Sequence, residues 1–161
     1  MDPPVAAANT SWRARAVEGG RGPIRAAVLL CAAAAAPALP AAAAPDVRYP
    51  PDSVLLLVAP WCAPCHAELA RLDAIAAGAR PRAVRVFMVD EGPRAAAMWR
   101  GVPAGYRWTP PAGEERRYRA DAMARTAGLP FSLATDAHGR VCAARGGGMD
   151  AARVKALATE C

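Results

Sequence analysis

The chain has 161 residues, of which 54% are apolar, 21% charged and 6% aromatic, a balance that suits one soluble domain and excludes most larger architectures. Alanine supplies much of the apolar count, so the core must be built from a modest set of Leu, Ile, Val, Phe, Met and Trp. Twenty basic against fourteen acidic side chains give a net charge of +6, but Lys155 is the only lysine, no run of five or six like charges occurs, and the aromatics do not interleave with arginine, which argues against nucleic acid as a partner.

Residues 1–25 are polar, Gly-rich and basic, and Ala26-Ala27-Val28-Leu29-Leu30 leads into an alanine tract broken by Pro37 and Pro40. That order reads as a secretory signal peptide over 1–45, with cleavage between Ala42 and Asp46 and a folded domain over 46–161. An uncleaved anchor is the alternative: residues 26–44 just reach the length of a membrane span, but alanine is weakly apolar and two prolines interrupt it. Leu30 is not the small residue that a lipidated Cys31 would want before it. The basic region is long for a signal, so the true start can lie downstream of Met1. A periplasmic or otherwise extracytoplasmic location follows, and loss of the leader leaves Cys62, Cys65, Cys142 and Cys161, an even number that permits disulfides.

Ser53–Ala59 is a continuous apolar run between Pro51-Asp52 and Pro60, the pattern of a strand buried on both faces. Beyond it Cys65, Leu69, Leu72 and Ala76 form the stripe of a core-facing helix, with Pro64 in its first turn and Gly78 as its stop. Val84–Val89 reads as a second buried strand and Ala95–Arg100 as a helix, so the first two strands should be a parallel pair. Residues 101–119, punctuated by Gly and Pro, read as an insertion in which Tyr106 and Trp108 mark a short extended piece. Glu114–Ala127 predicts a helix closed by a left-handed cap at Gly128. Phe131–Thr135 and Arg140–Ala144 predict a hairpin turning at Asp136-Ala137-His138-Gly139, and a last helix runs from Asp150, as N-cap, to Glu160.

Trp61-Cys62-Ala63-Pro64-Cys65 falls where a buried strand hands over to a helix. The spacing lets both sulfurs close one small ring. Cys65 lies on the core-facing stripe, whereas Cys62 precedes the helix and should be the exposed sulfur, with free helical N–H groups favouring its thiolate. Cys62 is therefore the candidate nucleophile and Cys65 the resolving thiol. A zinc site lacks a second Cys pair or paired histidines, and a purely structural four-residue loop constrains the unfolded chain little. Cys62-Ala-Pro-Cys65-His66 also matches the haem-attachment pattern of c-type cytochromes, although the strand-to-helix context is that of a redox motif. His66, four residues after Cys62, could favour the thiolate or be an exposed histidine without a role. Trp61 could cover the core or form an apolar rim on which partner proteins dock. Cys142 and Cys161 sit on elements that can pack together; a second, structural disulfide is the first reading, and free thiols or an intermolecular bridge are the others.

The motif, Glu68 three residues after it, and Leu129-Pro130 followed by strand, turn and strand resemble the thioredoxin fold, and more closely the exported TlpA/ResA-like thiol–disulfide oxidoreductases, over Asp52 to the C-terminus. The resemblance implies an α/β three-layer sandwich, a central mixed sheet flanked by helices, with an insertion over 91–119 before the strand that follows a cis Pro130. It implies that Pro130 lies against the disulfide. It also implies exchange of a Cys62–Cys65 disulfide with exported proteins, in the reducing direction, with a membrane thiol donor and with apocytochrome c or a copper-site protein as target; no cofactor or metal is called for. An oxidant or isomerase would use the same chemistry in another sense. Two positions depart from the pattern. Leu56 stands where thioredoxins keep a buried aspartate, so their proton shuttle is missing or replaced, and Glu68 is the candidate substitute unless it is merely solvated. Phe131 follows the proline where small hydroxyl residues are common.

Overall fold

Six consecutive residues, Ser53–Val58, are buried on both faces and form β1 in the computed structural model, which describes residues 46–161. The expected signal peptide at 1–45 lies outside the described residues. Alternation sends Val54, Leu56 and Val58 into one apolar cluster and Leu55 and Leu57 into another, so β1 is the shared wall of two cores. Truncating a fully buried leucine such as Leu56 to alanine would cost about 2–5 kcal/mol.

β1 pairs in parallel with β2 (Ala83–Met88) and antiparallel with β3 (Phe131–Thr135), which pairs antiparallel with β4 (Val141–Gly146). The order β2-β1-β3-β4 makes the mixed sheet expected. Helices α1 (Ala63–Leu69), α2 (Leu72–Ala79), α3 (Pro93–Gly101) and α5 (Ala151–Thr159) contribute Cys65, Ile75, Ala95 and Val154 to the first core. Helix α4 (Glu115–Ala124) contributes Tyr118 and Ala122 to the second, where the Trp108 ring meets Tyr49 tilted and Phe87 and Tyr118 edge-on, and Tyr49 meets Tyr118 edge-on. Helix, sheet, helix is the three-layer sandwich.

The helix expected from the Cys pair to Gly78 is two helices. Arg71 leaves helical geometry at φ −120° and ψ 17°, and its Nε donates to the Ala67 carbonyl (3.1 Å), which would otherwise lack a partner at the break. The buried stripe is accordingly Cys65, Glu68, Leu72, Ile75 and Ala79, while Leu69 and Ala76 are only partly buried. Gly78 is not the stop either. It is the point where α5 comes closest, since a Cβ there would lie 2.4 Å from the Ala151 carbonyl oxygen. The chain leaves α2 at Arg80-Pro81, a residue pair that cannot continue a helix.

The helix expected to reach Ala127 ends at Ala124, and Gly128 has no left-handed cap; the Thr126 hydroxyl accepts the Gly128 N–H (3.0 Å) in a local turn that competes with the helix. In the insertion, a short 3-10 turn at Ala104–Tyr106 leads to an extended piece whose Trp108 N–H donates to the Val86 carbonyl (3.0 Å), covering the outer edge of β2. The hairpin turns as expected: Asp136 accepts the N–H groups of His138 and Arg140, and Gly139 takes φ 72°. β4 runs to Gly146, two residues past its expected end.

Candidate active site

The backbone that leaves β1 turns through Ala59-Pro60-Trp61, with the Cys62 N–H donating to the Ala59 carbonyl (3.1 Å), and enters α1 with Cys62 as N-cap and Pro64 in the first turn. Cys62 holds φ −87° and ψ 92°, the extended geometry of a cap, and its Sγ accepts the Cys65 N–H at 3.2 Å. A sulfur held on an amide N–H is stabilised as thiolate, because a donor to the charged form favours it. Cys62 and Cys65 are joined, with Cα atoms 5.3 Å apart. Cys65 is fully buried, as its place on the stripe requires. Cys62 is not the exposed sulfur expected: the residue is only 3% accessible, because as the cap it folds onto the first turn and joins the apolar cluster. The motif's exposed members are Trp61, Ala63 and Pro64, and Trp61, at 63%, is the one large apolar side chain in open solvent among the described residues.

Glu68 follows Cys65 by three residues on α1, so the two share a face. It is buried at 2% exposure and accepts the Met149 N–H, from the loop between β4 and α5. The solvated reading of Glu68 is thus overturned. Burial raises its carboxyl pKa to about 7, against the smaller opposing pulls of the Met149 N–H and of Arg153 and Arg71. The Gly146-Gly147-Gly148 run, read in the sequence only as a release into the last helix, brings the backbone over this carboxyl: a Cβ on Gly148 would be 3.9 Å from Glu68 Cγ. Met149 and Arg153 are partners that sequence reasoning missed, since they are about eighty residues away and carry no motif.

His66 is exposed and its Nε2–H donates to the Pro60 carbonyl (3.1 Å), which braces the turn ahead of Cys62; a carbonyl can only accept, so that bond fixes the tautomer. The Leu129–Pro130 peptide is cis. Pro130 is buried, its carbonyl accepts the Gly147 N–H (2.9 Å), and it precedes Phe131, the partner of Leu57 in the antiparallel ladder. Pro130 therefore stands at the end of the sheet where β1 delivers the cysteines, with the bulky Phe131 buried behind it. Cys142 and Cys161 are also joined, with Cα atoms 5.5 Å apart, at the opposite end of the β3–β4 ladder, and so form no part of this site.

A mixed sheet with one parallel and two antiparallel pairs, an N-cap cysteine in a CxxC pair at the end of a central strand, and a cis-proline opening the neighbouring antiparallel strand together define the architecture. The fold is thioredoxin-like. Solved structures similar to this thioredoxin-like domain include StoA from Bacillus subtilis, at 14% identity and TM-score 0.46 over 68% of this chain and 83% of that one. MTB dsbF, solved in mixed oxidised and reduced forms, is 23% identical at TM-score 0.45 over 66% and 78%. A putative thiol:disulfide interchange protein DsbE from Chlorobium tepidum is 24% identical at TM-score 0.44 over 67% and 75%. No protein-family model and no curated protein matches the chain.

Proposed function

We propose that this chain is an exported, TlpA/ResA-like thiol–disulfide oxidoreductase that reduces disulfides in partner proteins. The observation that carries the reading is the Cys62–Cys65 pair at a helix start with a buried carboxyl of pKa about 7 one turn further on. In the reduced protein the Cys62 thiolate attacks one sulfur of a substrate disulfide. The Cys62–substrate S–S bond forms, and the second substrate sulfur leaves as a thiolate and takes a proton. Glu68 accepts the proton of the Cys65 thiol, the role left vacant by Leu56. The Cys65 thiolate then attacks the Cys62 sulfur, closes the internal disulfide and releases the other substrate sulfur. The substrate disulfide gains two electrons and the Cys62–Cys65 dithiol loses them; a membrane-bound dithiol donor restores it. Apocytochrome c or a copper-site protein in the same compartment would be the target.

The extracytoplasmic assignment is supported by the leader-like residues 1–45 and by a second disulfide, Cys142–Cys161, of the kind that persists in oxidising compartments. The haem reading of Cys62-Ala-Pro-Cys65-His66 fits the site poorly. Both cysteines are packed into the apolar cluster, and the His66 Nε2 that would bind iron is engaged by Pro60. The equilibrium reduction potential of the Cys62–Cys65 couple tests direction: a value near −270 mV, about that of thioredoxin, is expected of a reductant, and one near −120 mV, about that of a strong oxidant, would overturn that sense.

A further inference from the structure

A cavity of about 250 Å³ opens between the C-terminal end of β2, α3, the extended piece at Trp108 and the start of α4. This is below the roughly 300–1,000 Å³ of pockets that enclose drug-sized ligands, and it suits a single side chain. Phe87, Ala95, Trp99 and Trp108 give it apolar walls, and Asp90 and Glu115, both half-buried, bring carboxylates to it. Among the described residues neither Asp90 nor Glu115 takes part in an ion pair, whereas the arginine at the cavity, Arg119, is neutralised by Glu91. Arg119 Nε is buried without an acceptor among the described residues.

A second depression, of about 380 Å³, shares Asp90 and Glu91 with the first and reaches Pro60 and Trp61. Trp61 adjoins Cys62. Trp61 is exposed and so borders the approach to Cys62, and the shared carboxylates carry that surface on into the cavity.

We infer that the Trp99–Trp108 cavity is a specificity subsite for a basic side chain of the substrate, an arginine or lysine a few residues from the substrate cysteine. The stem lies on the tryptophan faces, where a cation over an aromatic ring is favourable, and the charged head meets Asp90 and Glu115. This inference rests on the proposed oxidoreductase reading, and the test separates the two.

The pre-reduced protein is offered oxidised glutathione and a series of disulfide-bonded peptides with arginine placed two to six residues on either side of the cysteine, each matched by an alanine peptide. For at least one placement, the second-order rate constant for oxidation of the pre-reduced protein should favour arginine about threefold or more, the gain available to one partly exposed ion pair plus one cation–π contact. In Asp90→Asn and Glu115→Gln that ratio should fall toward one, and Glu115→Arg should turn the preference toward a matched glutamate peptide. Equal rates for arginine and alanine at every placement, or a preference that survives both neutralising variants, would overturn the subsite while leaving the redox function intact. Failure to react with either glutathione or any peptide would overturn the functional reading and the subsite with it.

Discussion

Glu68→Gln keeps the shape and the acceptor oxygen for the Met149 N–H but removes the titrating proton, which makes it a direct probe of the buried carboxyl. The folded-state pKa is raised, from 4.5 to about 7. Below pH 4.5 both folded and unfolded chains hold the proton and folding is not penalised. Between 4.5 and 7 the unfolded chain ionises while the folded one does not, so stability declines as pH rises, by up to about 1.4 kcal/mol per pH unit. Above 7 both are ionised and the penalty is constant, at roughly 3 kcal/mol. Urea unfolding of the oxidised protein, followed by tryptophan fluorescence at pH 5 and pH 8, reads the effect. Relative to Glu68→Gln, the wild type should lose about 2–3 kcal/mol between those pH values, an order-of-magnitude figure for one buried group. Taking the difference cancels groups common to both proteins. Stabilities that run parallel within about 0.5 kcal/mol would refute the assignment of a protonated, desolvated Glu68.

Replacing Cys142 and Cys161 together by serine opens a loop with a sequence separation of 19 and should cost about 3 kcal/mol by the chain-entropy argument, measured by urea unfolding without reductant; a loss under 1 kcal/mol would mean that the bond does not clip β4 to α5. Gly78→Ala drives a Cβ against the Ala151 carbonyl and should lower stability by about 1–3 kcal/mol, whereas Gly101→Ala, which meets nothing within 4 Å, should not; equal thermal midpoints would deny the close approach of α2 and α5. Trp61→Ala removes the exposed apolar rim and should slow reduction of protein disulfides more than reduction of glutathione disulfide, by stopped-flow comparison; equal slowing would deny it a docking role.

The strands were the most legible part of this sequence, because an unbroken run such as Val54-Leu55-Leu56-Leu57-Val58 admits little but a strand walled by two cores. Cys62 and Cys65 were legible for the related reason that a strand end, a proline and a helix start coincide there. The break at Arg71 was not, since it involves no proline or glycine and depends on where α2 must lie to meet α5. Gly78 and Gly128 misled because a glycine that ends a helix and one that admits a neighbour or follows a side-chain turn look alike in sequence. The state of Glu68 was hidden for a deeper reason: its burial is made by Met149 and the glycine run before it, which only the tertiary fold brings across. The accessible surface of Cys62 was misjudged because its position at the cap was clear but the packing of the cap was not.

In the proposed cycle Cys62 attacks and Cys65 resolves. The most direct measurement is mass spectrometry of the reduced Cys65→Ser and Cys62→Ser variants after reaction with a disulfide-bonded peptide under non-reducing conditions. Cys65→Ser should accumulate a one-to-one mixed disulfide mapped to Cys62, while Cys62→Ser gives none and the wild type passes on to its internal disulfide. An adduct on Cys142 or Cys161, or no adduct on Cys62, would show that Cys62 is not the attacking sulfur.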